Sequence, residues 1–192
     1  MRLITSAVTA LLLTIATLST IAQATTVNTV SPYKGQQTRN IKALSQDAID
    51  GYLSGKGMGL AKTAELNHYP GPRHVLDLSE KLELSQSQIS QTQSLFNNMQ
   101  ASARTLGKQL VEQEQKLDQL FSQGSINQDS LQVLLLDIGS IQSKLRHVHL
   151  NAHLEQKKIL NKHQIMMYDR LRGYDGNGPS SHEHHDNHNH AH

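Results

Sequence analysis

Two long stretches of apolar residues recurring at alternating steps of three and four limit the fold of this chain more tightly than any other feature. From Ile89 the first runs through Phe96, Met99, Ala103, Leu106, Leu110, Leu117 and Leu120, with polar Gln113 at its one interruption. The second runs through Leu131, Leu134, Ile138, Ile141, Leu145, Val148, Ala152 and Ile159. Such spacing puts one narrow apolar seam along each of two helices. Gly124, just after Phe121-Ser122-Gln123, is placed to end the first in a left-handed residue, and the few residues from Gly124 to Asn127 leave room only for a tight turn. The expected fold is therefore all-α: a long antiparallel helical hairpin, each arm roughly 35 residues and about 50 Å long. A hairpin with one thin seam buries little, so cover from short flanking helices or a second copy of the chain is expected.

Composition narrows the chemistry. The chain has 192 residues, no Cys, no Trp and 12 His. Without Cys there is no disulfide scaffold, thiolate metal site or cysteine nucleophile, so any metal chemistry falls to His, Met, carboxylate or Gln. With 18 Lys+Arg against 16 Asp+Glu and no basic run, electrostatic capture of nucleic acid is not indicated.

The first 24 residues are read apart from the fold. Arg2 supplies a positive start, Leu3 to Ile21 is apolar, and Ala22-Gln23-Ala24 has the small-x-small form of a signal-peptidase site, so cleavage after Ala24 and export to a periplasm are expected. The alternative is an uncleaved membrane anchor. Residues 25–44 read as an extended arm and residues 45–174 as the helical domain. Within that domain Ser45 caps a short helix, a second spans Leu60 to Asn67, Tyr69-Pro70-Gly71-Pro72 forces a turn, and helix resumes from Arg73 to Leu82. Residues 175–192 form a polar tail expected to be disordered.

Two helix starts share one pattern. Leu84-Ser85-Gln86-Ser87-Gln88 opens the first long helix and Leu160-Asn161-Lys162-His163-Gln164 opens a last short one ending near Leu171-Arg172-Gly173-Tyr174. In each, Ser or Asn caps the amide three residues on while Gln reaches back to the cap residue's own amide. This repeated Leu-(Ser/Asn)-x-x-Gln element, at both ends of an exported hairpin, resembles the signature of the Spy/CpxP family of periplasmic stress proteins. Ser31-Pro32-Tyr33-x-Gly35-Gln36, Gly57-Met58-Gly59-Leu60-Ala61-Lys62, Ala64-Glu65-Leu66-Asn67, Tyr69-Pro70-Gly71-Pro72 and Leu171-Arg172-Gly173-Tyr174 are similar to blocks in its heavy-metal-sensor branch. The resemblance implies a bent-hairpin protomer in a cradle-like homodimer. It also implies one of three roles: an ATP-independent chaperone for unfolded clients, a partner of an envelope-stress membrane sensor, or a metal sensor.

Candidate ligands follow from residue chemistry. His149 and His153 stand four apart on one helix, so they share a face and can share a cation. With Arg146 and Gln156 they read as a stripe flanking the seam, where another segment would complete the coordination. Met58, Glu65 and His68, or a second protomer, are the candidates for that completion. The plain alternative is a pair of solvated or hydrogen-bonded helix histidines. Nickel- and cobalt-sensing relatives use a His with a ligand four residues later on this helix, which favours the ligand reading; the chain lacks their His-x-x-x-His on the N-terminal helix. In the tail, His182, His184, His185, His188, His190 and His192, with Glu183 and Asp186, form a dense imidazole tract suited to Zn, Ni, Co or Cu(II). Its affinity would fall as pH drops through about 6.5. No Gly-x-Ser-x-Gly elbow, phosphate loop or His-Glu-x-x-His occurs, so a non-enzymatic, metal-responsive protein is expected.

Overall fold

The computed structural model describes residues 30–175, so the export segment and the histidine-rich tail lie outside the described residues. The described helices belong to one compact unit that begins at Gly35. In chain order they are α1 (Gln46–Ser54), α2 (Lys62–Glu65), α3 (Pro72–Asp77), α4 (Gln86–Ser122), α5 (Gln128–Ile159) and α6 (Lys162–Arg172), with a 3-10 turn at Gln36–Thr38 before them. No strand occurs among the described residues, and none of their helices is long and apolar enough to cross a membrane.

The hairpin forms as the two seams require. α4 has 37 residues and α5 has 32, and they pack against each other through Ala103, Leu110, Ile138 and Leu145, with Leu106, Leu117, Ile141 and Val148 closing around them. Each fully buried Leu of this kind contributes ~1.5–3 kcal/mol. Gly124 sits in the left-handed region (φ 64°) at the turn, and Asn127 caps α5 through Ser130. α1 lies on α4 so closely that a Cβ on Gly107 would collide with the Tyr52 carbonyl. That contact covers one side of the thin seam.

Two short helices are shorter than their apolar pattern suggests. The expected Leu60–Asn67 helix is confined to Lys62–Glu65, because Ala61 offers no side-chain cap and the chain turns through left-handed residues at Met58 (φ 44°) and His68 (φ 64°). The expected Arg73–Leu82 helix begins at Pro72, whose fixed φ suits a first helical position, and ends at Asp77. The chain then turns through Glu83 (φ 49°) into the cap of α4.

The repeated motif joins the two helix starts as well as capping each. Ser85 and Gln88 form one reciprocal box and Asn161 and Gln164 the other. The two glutamines also bond to each other: Gln88 Nε2 donates to Gln164 Oε1 (2.8 Å), and Gln164 Nε2 lies 3.1 Å from Gln88 Oε1. Each reaches on to a main-chain carbonyl, Gln88 to Ile159 (2.9 Å) and Gln164 to Leu82 (3.2 Å). Leu84 and Leu160 pack beside them in a small core with Val75, Leu82 and Tyr168. This base end, opposite the Gly124 turn, is where α3 and α6 meet the hairpin.

Candidate metal centre

The base end gathers buried polar groups from four segments, starting with α5. His149, Ala152 and Gln156 are all buried there, with His149 4% exposed and Gln156 fully enclosed. The flanking stripe inferred from the sequence is corrected on this point: His149 and Gln156 lie in the seam itself. Val148 and His149 straddle the same seam line, since both follow Leu145 at helical spacing, and the structure buries the second more deeply. Gln156 Nε2 donates to Thr92 Oγ1 of α4 (3.1 Å), whereas its Oε1 has no partner. His149 Nε2 is likewise buried without a partner. Burial, and then the neighbouring His153 charge, hold the His149 pKa below its ordinary value, so it is kept as a neutral imidazole.

His153 is oriented differently. Its Nδ1 lies 2.7 Å from the Tyr69 carbonyl oxygen, which can only accept, so Nδ1 is a donor and Nε2 is the nitrogen left to offer a lone pair to a cation. A second-sphere carbonyl fixing a ring in this way is the usual arrangement for a ligating imidazole. Lys157 Nζ stacks 3.7 Å over the Tyr69 ring and steadies that turn.

Glu65, at the end of α2, faces His153. Its Oε1 accepts from Tyr168 Oη (2.5 Å) and Tyr174 Oη (3.2 Å), and Arg172 Nε approaches it to 3.3 Å. Burial and the adjacent carboxylate drive the Tyr168 hydroxyl pKa far up, so it remains a donor. Oε2 is buried with no hydrogen-bond partner, 3.7 Å from His153 Nδ1. Between these groups runs Gly71, whose missing side chain leaves a space too small even for a Cβ, which would stand 2.9 Å from His153 Cε1, 3.1 Å from its Nε2 and 3.4 Å from Glu65 Oε2. The unpartnered carboxylate oxygen and the bare imidazole nitrogen thus border one small gap, with His149 a turn away on α5. Among the described residues no three His, Asp or Glu side chains converge on one point as placed, so this is a two-donor cradle with a third donor adjacent.

The other candidates are placed elsewhere. His68 gives its Nδ1 to Asp169 Oδ2 of α6 (2.9 Å), and its side chain is 56% exposed. Met58 packs its sulfur against Gly51 of α1. Neither joins His149 and His153. The six tail histidines lie outside the described residues. Gly71, Tyr168, Arg172, Tyr174 and the Tyr69 carbonyl are participants that spacing alone did not single out, as is His74. The His74 pKa is lowered mainly by burial and next by Arg172, against the opposing charges of Glu65 and Asp77.

No protein-family model, curated protein or solved structure matches this chain.

Proposed function

We propose that the chain is an exported, metal-responsive protein on a Spy/CpxP-like scaffold, binding Zn, Ni, Co or Cu(II) in sensing, buffering or resistance, without enzymatic activity. Glu65 Oε2 and His153 Nε2 are the primary ligands in this reading, His149 Nε2 is the third, and the tail histidines are an outer collector. One observation carries it: the buried, unpartnered Glu65 Oε2 borders the small space at Gly71 beside His153 Nε2, and the buried, unpartnered His149 Nε2 belongs to the preceding turn of α5. Leaving a buried acceptor unmet costs about 1–3 kcal/mol, and a cation in the gap would recover that cost. The donor set is imidazole and carboxylate with no sulfur, which suits borderline divalent ions and not Cu(I).

Calorimetric titration of the full-length chain with Zn and Co tests the reading. Replacing the six tail histidines by Gln should remove the outer uptake and leave one ion per chain. Adding His149→Ala and His153→Ala should remove that ion too. Uptake that vanishes entirely with the tail histidines would refute the folded site.

A second reading is favoured by Phe121, Val133, Leu135 and Leu136, which stand more than half exposed near the Gly124 turn. Apolar groups left in solvent offer contact to an unfolded client, to a membrane sensor or to a second copy of the chain. Suppression of client aggregation that persists after chelation would favour this reading over metal response.

A further inference from the structure

The two oxygens of Glu65 have different surroundings. Oε1 is saturated: two tyrosine hydroxyls donate to it, and the Arg172 guanidinium stands 3.3 Å away without hydrogen-bond alignment. Oε2 has none of these neighbours and borders the Gly71 gap. All three groups on Oε1 come from α6 and the residues just after it, and Tyr168 is fully buried in the base core, so its hydroxyl cannot swing away to solvent. Tyr168 Oη is also fixed from the other side by the Gly71 amide (3.4 Å). The same residue that leaves the gap open therefore helps hold the hydroxyl that occupies Oε1.

From this geometry we infer that Tyr168, assisted by Tyr174 and Arg172, sets the ion preference of the cradle by restricting Glu65 to one-oxygen ligation through Oε2. The inference rests on the proposed metal reading. A carboxylate free at both oxygens can chelate side-on, which large oxygen-seeking ions such as Ca²⁺ and Mn²⁺ exploit to fill six or more positions. A carboxylate with one oxygen committed supplies a single bond, which suffices for a four-coordinate Zn²⁺ or Co²⁺ site built with imidazole. The Arg172 charge beside Oε1 further opposes a cation approaching on that side. Tyr168 touches no ion in this account; it is a positioning residue that acts through Glu65.

The test uses the full-length chain with its six tail histidines replaced by Gln, so that only the folded cradle is read. Co²⁺ binding is followed by its visible absorption and Mn²⁺ binding by the resonance signal of the free ion. Tyr168→Phe keeps the buried ring and removes the donor. The expected result is a fall of about tenfold in the preference for Co²⁺ over Mn²⁺, the scale typical of losing a second-sphere partner, with Mn²⁺ binding tightened. Tyr174→Phe, which keeps a ring only partly buried at the edge of the base core, should shift the preference in the same direction by less and serves if Tyr168→Phe does not fold. Equal weakening of both ions, or an unchanged ratio in a folded variant, overturns the inference while leaving the metal reading standing. Absence of Co²⁺ binding by the parent chain overturns both.

Discussion

The two ends of the hairpin are built on opposite principles. At the base, where α4 begins, α5 ends and α6 turns back, the buried side-chain atoms without partners are concentrated: Glu65 Oε2, His149 Nε2, Gln156 Oε1, Asp169 Oδ1 and Arg172 Nε. Near the Gly124 turn none of the described buried side-chain atoms lacks a partner, and large apolar groups such as Leu136, 66% exposed, face outward, as Met166 of α6 also does at the base. Neither condition is favourable for a chain selected for stability alone. The base carries polar groups that lack partners, and the turn carries apolar groups that lack cover. The difference teaches where each proposed reading has its physical ground: unmet polar atoms at the base for the metal reading, exposed apolar groups at the turn for the contact reading. The base is also cross-linked, because the paired glutamines and the Val75–Leu82–Leu160–Tyr168 cluster tie four segments together there.

Four expected outcomes sharpen or break that contrast. Gln164→Ala removes a cap, a buried partner of Gln88 and the donor to Leu82, and should cost about 2–4 kcal/mol in denaturant unfolding. A cost near zero would mean that this cross-link does not stabilise the base. Gly71→Ala keeps an ordinary backbone (φ −84°, ψ 139°) while its Cβ enters the gap beside His153 and Glu65. It should weaken ion binding by the folded cradle at least about tenfold, ~1.4 kcal/mol, with a smaller change in unfolding free energy. An unchanged affinity would place the ion elsewhere.

The third outcome concerns pH. Burial lowers the His149 pKa in the folded chain below the unfolded value of about 6.5, so the unfolded state binds the proton more tightly. The stability this neutral imidazole contributes is complete above about pH 6.5 and is lost as pH falls below it towards the folded pKa. His149→Leu should flatten the acid side of the stability profile, measured by urea midpoints at several pH values. Parallel profiles would show that His149 does not titrate differently on folding. Smallest of all, Leu136→Ser at the turn should change stability by no more than about 0.5 kcal/mol, as exposed substitutions usually do. A larger loss that depends on protein concentration would instead reveal a partner copy covering that surface.

Much of the architecture was legible in the residues. The steps of three and four gave both long helices, Gly124 gave the turn, and the Ser85/Gln88 and Asn161/Gln164 pairs gave two helix starts in their observed positions. The second seam was read correctly at Leu134, Ile138, Leu145 and Ala152, but the reading missed the buried His149 and Gln156. Val148 and His149 are both compatible with a 3.6-residue period after Leu145, and only the structure separates their burial. The site was legible only in part. Glu65, His149 and His153 are exposed by residue type and spacing, but Tyr168 and Tyr174 meet Glu65 across 103 and 109 positions. No local pattern encodes a contact between α2 and a helix that folds back from the far end of the chain. Gly71 was read as turn punctuation, because the space a glycine leaves open is visible only once its neighbours are placed.

Anomalous scattering from crystals of the full-length chain grown with Co²⁺ tests the central claim most directly. The account predicts a peak beside Gly71, bonded to Glu65 Oε2 and His153 Nε2. Crystals that bind Co²⁺ only through the histidines beyond residue 181, with no density in that gap, would contradict it.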